Sequence, residues 1–454
     1  MLRSIDPATG KTLREYPEAD TAKIMSALEL ASKASTDWRR RSFAERGVVL
    51  GRAAALLRAK ADDYAVLMAE EMGKPVAQGR SECEKCAWVC EYFAENAERF
   101  LSPEPIPTDA SRSYVTYTPL GVVLAVMPWN FPFWQVFRFA GPTLMAGNAG
   151  VLKHASNVSG CALAIEALLR EAGAPEGVFT TLLVGSPAVE ALIQSPHIHA
   201  VTLTGSTPAG RSVAGAAGRA LKKTVLELGG SDPYIVLENA NLEFAVETCA
   251  AARLVNSGQS CIAAKRFIVV EEVHAAFTER FVARMGRAHF GHPRMPSSDL
   301  GPLARHDLRD QLHAQVRASV DAGARLLLGG DVPPGPGAFY PPTVLDKVAP
   351  GMPAYGEELF GPVAAVIAAK DEKDAIRIAN DSSFGLGASV FTRDTARGER
   401  IAAEELEAGS CFVNAQVHSD PRLPFGGIKE SGYGRELAAF GVREFTNVKT
   451  VYVK

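Results

Sequence analysis

The chain has 454 residues, 47% of them apolar and 22% charged, which is the profile of a globular protein of two or three domains rather than one core. Its 48 basic and 51 acidic side chains leave a formal charge of −3, so no global positive field draws it to nucleic acid or to anionic lipid. Seven cysteines are too few, and odd in number, for a disulfide framework. The polar start "MLRSIDPATGKTLREYPEAD" lacks the apolar centre of a signal peptide, and no run of ~20 apolar residues exists, so the expected location is the cytoplasm.

To about residue 100 the chain reads as helices. "TAKIMSALELASKASTDW" and "RGVVLGRAAALLRAKADDYAVLMAEEMG" place apolar residues at three- and four-residue spacing. Cys83, Cys86 and Cys90 share one face of such a helix. With no histidine beside them and no fourth cysteine, they read as packing rather than as a metal site. "SPEPIPTDA" breaks the pattern with three prolines, and "SYVTYTPLG" follows as a short extended run.

From Gly121 the texture changes. The short runs "GVVLAVM", "AGVLKH", "GVFTTLLVG", "IHAVTLTG", "KTVLELGG" and "DPYIVLE" are continuously apolar and alternate with helical segments. Such runs mark strands buried on both faces, and the alternation implies βαβ units around a parallel sheet. The alternation resumes in "RFIVVEE", "ARLLLGG", "VAAVIAA", "GASVFT" and "SCFVNA". We therefore expect two α/β domains joined near Leu228–Gly230. The strand-like tail "FTNVKTVYVK" needs a partner. With the detached "SYVTYT" it suggests a small sheet completed by another subunit.

Four stretches could carry chemistry. In "NSGQSCIAAKR", Cys261 follows a polar loop rather than an apolar run, so it is either a nucleophile or a structural cysteine; metal ligands are absent nearby. Glu227 ends a buried strand in "VLELGGSDP". It is either an ion-paired structural acid or a carboxyl whose pKa burial raises into the range of a general base. Asn130 stands between Trp129 and Phe131 and between Pro128 and Pro132; it either forms a turn or offers its amide to an oxyanion. In "LTGSTPAGRSVAG" a strand ends at Gly205, Ser206 or Thr207 can cap, Pro208 suits a first helical turn, and a helix N-terminus there attracts phosphate.

Taken in order, "PWNFP", "AGNAGVLKHAS", "TGSTPAG", "LELGGSDP", "GQSCIAAKR", "EELFGPV" and "PFGGIKESGYGRE" resemble the aldehyde dehydrogenase superfamily over nearly the whole chain, and most of all its succinate-semialdehyde dehydrogenase branch. Glu227 and Cys261 stand 34 positions apart, as the family's base and nucleophile do.

The resemblance implies a Rossmann-like cofactor domain (residues 1–105 and 121–227), an α/β catalytic domain (228–415) and an oligomerisation sheet (106–120 and 436–454) of a homodimer or homotetramer. It assigns Cys261 to attack on the aldehyde carbon, Asn130 and the Cys261 N–H to the oxyanion, and Glu227 to the water that hydrolyses the thioester. CoA-acylating relatives lack that glutamate, so Glu227 points to the acid-forming branch. The cofactor, NADP or NAD, would lie against Trp129, Gly205, Ser206, Leu228 and Phe360. Lys153 would hold the adenosine ribose, Ser206 the pyrophosphate and Glu358 the nicotinamide ribose.

Several departures from the family pattern are informative. NAD-preferring members often carry Glu three residues after the lysine; Ser156 stands there, and neither repels nor crowds a 2′-phosphate. His154 replaces the proline common after that lysine. Arg138 lies where the branch holds a distal carboxylate, or is a structural arginine paired with a helix end; Trp134 stands four positions before it, and Val255 replaces a second arginine and leaves Ser419 as a candidate second anchor. Ala263 replaces a cysteine that closes a regulatory disulfide in some relatives. Succinic semialdehyde is the expected substrate, with other small aldehydes next. Two other classes would be a cofactor-independent thioester or ester hydrolase and a silent scaffold. Lys153 and Glu358 speak against the first, and the set Cys261, Glu227 and Asn130 against the second.

Overall fold

A computed structural model describes residues 1–454. Two sheets organise the chain. In the first, the strand Val122–Met127 lies between Ala149–His154 and Ala200–Thr204, with Phe179–Thr181 and Lys223–Glu227 outside them, all parallel. The chain enters at the middle strand, builds one side, then crosses to build the other. The crossover leaves a crevice at the carboxyl ends of Val122–Met127 and Ala200–Thr204, where an open α/β sheet binds its ligand. "PWN" follows the first of these strands and "GST" the second.

The second sheet runs Arg325–Leu328, Thr343–Asp346, Val363–Ala369, Arg266–Val270, Pro233–Val236, Gly387–Phe391 and Ser410–Val413. Only the edge strand Arg325–Leu328 is antiparallel. Every residue of Val122–Met127 but Val126, and all of Ala149–His154, Ala200–Thr204 and Arg266–Val270, are buried. That is why those runs are apolar throughout instead of alternating.

Three features differ from the sequence reading. The first hundred residues are not helical from the start: Leu2–Ile5 and Thr12–Tyr16 form an antiparallel hairpin. Only Leu2, Ser4 and Tyr16 of it are buried, so its pattern is too short and polar to stand out. Thr343–Asp346, inside "PPTVLDKV", is a fully buried strand of four residues. The chain also returns to the first sheet after the second is complete, because Gly432–Tyr433 pairs antiparallel with Leu226 and Glu227.

The tail strand Thr446–Val453 pairs along its length with Arg112–Pro119, and Glu104–Pro105 adds a third strand. The tail is an outer strand of this sheet, and Val448, Tyr452 and Val453 are exposed on it. The helix Val76–Leu101 buries Cys83, Cys86 and Cys90 with Phe93 and Ala97 in the largest core cluster. Burial pushes the Cys83 thiol up to about 12 and the Cys86 and Cys90 thiols up as well, which leaves them inert packing groups.

Candidate active site

Cys261 sits on a loop between the short turn Val255–Gly258 and the strand Arg266–Val270. Asn256 and Ser257 both hold left-handed backbone, at φ 53° and 56°. Such conformations cost free energy in non-glycine residues and persist where the surroundings over-determine them. Gly258, at φ 75°, presses against the Gly361 carbonyl where a Cβ has no room. Lys265 reaches back under the loop and donates from Nζ to the carbonyls of Ser260 (2.9 Å) and Cys261 (2.7 Å). The same ammonium lies 3.2 Å from Glu358 Oε1, which also accepts from the Gly230 N–H at 3.0 Å. Lys265 stands inside "GQSCIAAKR", yet sequence reasoning gave it no role.

Cys261 borders two cavities. One, of about 600 Å3, is lined by Trp129, Asn130, Gly205, Ser206, Leu228, Glu358 and Phe360 among others. These are six of the expected cofactor contacts together with Asn130, the expected oxyanion donor. The Trp129 and Phe360 rings meet edge to face with centroids 5.7 Å apart. The helix Thr207–Arg219 opens onto this cavity with Ser206 at its N-cap and Pro208 in its first turn. The Ser206 hydroxyl caps no backbone group of the helix. Its first N–H groups are thus open to an anionic ligand. These residues fit a dinucleotide whose pyrophosphate meets the helix and whose reactive ring lies beside Cys261.

Lys153 and Ser156 line a separate cavity of about 480 Å3 with Arg3, Ser186, Arg305, His306 and Asp307. Arg3 pairs with Glu15 and Arg305 with Asp307, while the Lys153 ammonium has no carboxylate within ion-pair distance. Burial holds the Lys153 pKa below its usual value.

The other cavity at Cys261, of about 680 Å3, is lined by Trp134, Arg138 and Ser419, the three expected substrate contacts. It also exposes Lys85, Gln135, Gln416 and Phe425. Arg138 is buried and ion-paired with the buried Glu436, and its guanidinium lies 4.7 Å over the Phe425 ring. The pairing with Glu436 was not foreseen, although that residue ends the quoted "PFGGIKESGYGRE".

Asn130 donates from Nδ2 to the Gln259 carbonyl at 3.1 Å, and its own carbonyl accepts from Asn256 Nδ2 at 2.7 Å. An amide nitrogen has two N–H groups, so one remains for an oxyanion. Two further contacts fix this turn. His154 Nε2 lies 2.9 Å from the Pro132 carbonyl, and its Nδ1 accepts from the Ala155 N–H at 2.9 Å. Nδ1 also lies 3.2 Å from the Met127 carbonyl. Burial lowers the His154 pKa to about 4, so the ring stays neutral. Glu82 Oε1 accepts from the N–H groups of Phe133 and Trp134, both at 2.9 Å, at the start of the helix Trp134–Met145. Glu82 is ion-paired with the buried Lys74, whose ammonium lies 3.8 Å over the Phe131 ring.

Glu227 lies at the end of its strand as expected, but it lines neither cavity bordered by Cys261. Its carboxyl packs against Gly426 of "PFGG", where a Cβ would stand 2.7 Å from Oε1. Neither carboxyl oxygen has a hydrogen-bond partner. Burial, then the nearby Glu436, push the Glu227 pKa well above the carboxylate range, against the pull of Arg138. Burial likewise pushes the Cys261 thiol up to about 12, opposed by Arg138 and Lys265. No group of three or more His, Cys, Asp or Glu side chains is arranged to hold a metal ion.

Cys261 thus lies where two cavities meet, with Asn130 lining the one that holds most of the expected cofactor contacts. The aldehyde dehydrogenase family matches residues 1–451, and the chain belongs to that family. It is 48% identical over 452 residues to a probable NADP-dependent succinate-semialdehyde dehydrogenase of Synechocystis, covering all of this chain and 99% of the relative. It is also 48% identical to the NAD(P)-dependent succinate semialdehyde dehydrogenase Sad of Escherichia coli K12, over 99% of this chain and 97% of that one. The succinic semialdehyde dehydrogenase of Streptococcus pyogenes, solved with NADP, superposes over all of both chains with a TM-score of 0.97 at 36% identity.

Proposed function

We propose that this enzyme oxidises succinic semialdehyde to succinate and uses NADP as its hydride acceptor. The observation that carries the reading is the cationic lining of the cavity beside Cys261: a nucleophile bordered by Lys85 and Arg138 suits an aldehyde with a carboxylate at its far end. The relatives named above act on the same semialdehyde. For the cofactor, the support is the Lys153 and Ser156 cavity, where Asp307 is the one carboxylate and is already paired with Arg305. A 2′-phosphate would meet an unpaired ammonium and a hydroxyl there.

The residues divide the work as follows. Cys261 gives its proton to solvent and attacks the aldehyde carbon as the thiolate, and the free Asn130 N–H with the Cys261 backbone N–H stabilises the oxyanion. Held against Trp129, Glu358 and Phe360, a nicotinamide would supply the hydride acceptor. Lys265 holds the Cys261 loop in register with Glu358 throughout. Glu227, deprotonated and turned from its place against Gly426 toward Cys261, then takes a proton from the water that cleaves the thioester. Initial rates with NADP and NAD, for succinic semialdehyde against butanal, test the reading. A strong preference for the semialdehyde and for NADP is expected; equal rates on both aldehydes would refute the substrate.

We read residues 1–105 and 121–227, with the returning strand Gly432–Tyr433, as the cofactor unit, and residues 228–415 as the catalytic unit. Residues 106–120 and 436–454 then form an oligomerisation sheet of a homodimer or homotetramer. Its outer strand, Thr446–Val453, offers unpaired backbone groups and the exposed Val448 and Tyr452 to a second copy. Sedimentation velocity tests this, and a monomer would refute it. The cytoplasm is the expected compartment, in keeping with seven free cysteines. No helix is long and apolar enough to cross a membrane.

A further inference from the structure

The cavity beside Cys261 is lined by three cations, Lys85, Arg138 and Arg284. Two of them already have counter-ions. Arg138 is paired with Glu436, both buried, and Arg284 lies 2.6 Å from Glu247. Lys85 has no carboxylate within ion-pair distance, although it is partly buried on the inner face of the helix Val76–Leu101. The acids around it are occupied. Glu82, one turn before it on the same helix, is held by Lys74 and by two backbone N–H groups. Asp420, from the loop after Ser419, is held by Arg422 at 2.6 Å and 2.9 Å. Asp299, the other acid of the lining, is exposed at the rim and accepts from the His289 N–H.

What Lys85 does touch orients it. Its ammonium lies 4.3 Å over the Trp134 ring and donates to Ser419 Oγ at 2.9 Å. Both partners line the cavity. An ammonium removed from water, resting on an aromatic face and sharing one proton with a hydroxyl, lacks the anion that would offset its desolvation. A ligand carboxylate supplies that anion and can take a second hydrogen bond from Ser419.

We propose that Lys85, with Ser419 beside it, is the anchor for the distal carboxylate of the semialdehyde, while Arg138 is largely committed to Glu436. The proposal rests on the substrate reading above and names the residue that enforces it. It also accounts for Val255: where some relatives carry a second arginine before the nucleophile, this chain brings a cation from a different helix into the same cavity.

Burial, then the neighbouring Arg138, lower the Lys85 pKa to about 8, with Cys86, Glu82 and Asp420 pulling the other way. In the free enzyme the anchor therefore loses its proton as pH rises through about 8.

The test uses the full-length enzyme with saturating NADP, and reads the ratio of kcat/KM for succinic semialdehyde to that for butanal. The ratio cancels the ionisation of Cys261, which both aldehydes share. In Lys85→Met the ratio is expected to fall at least about tenfold, with the semialdehyde KM carrying the change, and Lys85→Arg is expected to recover most of it. In the unaltered enzyme the same ratio is expected to fall between about pH 7 and 9. A wild-type preference that survives in Lys85→Met would overturn the anchor and leave the substrate standing. Equal losses on both aldehydes would make Lys85 a packing residue and overturn the anchor too. If the wild type shows no preference, the substrate reading itself fails, and this proposal with it. Should Lys85→Met not fold, the Lys85→Arg ratio and the wild-type pH profile decide alone: a pH-independent ratio overturns the proposal.

Discussion

The two cavities that meet at Cys261 are built by opposite means. One wall of the cofactor groove is made of chain turns at strand ends: Pro128–Asn130 after one strand, Gly205 and Ser206 after another, Leu228 and Gly229 after a third; Glu358, Phe360 and the helix His306–Asp321 face them. The shape of that wall follows from backbone path, so short contiguous motifs specify it. The substrate cavity is made of side chains projecting from Val76–Leu101, from Trp134–Met145 and from the loop at Gln416–Ser419, far apart in sequence. Its character is set by which charges find partners, and partnership is a property of the folded chain. A wall written in backbone depends little on any one side chain; a pocket written in charges can be retuned by one substitution.

That contrast can be broken or sharpened in order of effect. Cys261→Ala belongs to both cavities and should lower kcat by about 10⁴-fold or more with every aldehyde and either cofactor, measured by nicotinamide reduction. Glu227→Gln should separate the half-reactions. A burst of about one equivalent of reduced cofactor per site is expected in stopped flow, followed by turnover slowed about 10²- to 10⁴-fold. No burst would place Glu227 ahead of hydride transfer. Asn130→Ala removes the side-chain oxyanion donor and should cost about 10²- to 10³-fold in kcat, with KM little changed. Ser156→Glu is confined to the cofactor side and should shift the NADP to NAD ratio of kcat/KM at least about tenfold toward NAD, leaving the choice of aldehyde untouched. The smallest effect is a slope: because the Cys261 thiol is pushed up to about 12, kcat/KM for an uncharged aldehyde should rise steadily with pH up to about 9. A fall over that interval would mean that another group governs the free enzyme.

The same contrast explains what could be read from the residues alone. Buried parallel strands announce themselves as continuous apolar runs, and Glu227, Cys261 and Asn130 each sit at a break in such texture. The hairpin at Leu2–Ile5 and Thr12–Tyr16 does not, because most of it faces solvent. The four-residue strand Thr343–Asp346 lies among loop residues, too short to show a period. Arg138 was visible as a cation eight positions after Asn130, but its bond to Glu436 spans nearly 300 residues and leaves no local trace. Lys85 sits in "CEKCAWVC" like any solvated helix lysine, and only the fold reveals the cavity it faces and the acids already taken around it.

One contact ties the two halves of the site together. Lys265 holds the carbonyls of Ser260 and Cys261 with the same ammonium that faces Glu358 across 3.2 Å. A ligand that draws on the Glu358 carboxylate therefore alters the charge balance under the nucleophile's own peptide. Thermodynamic reciprocity makes this two-way: if dinucleotide binding changes the affinity of a thiol-directed reversible inhibitor for Cys261 by some factor, that inhibitor changes dinucleotide affinity by the same factor. The groove and the thiol are then one linked binding unit, and a charge-neutral residue at position 265 would uncouple them.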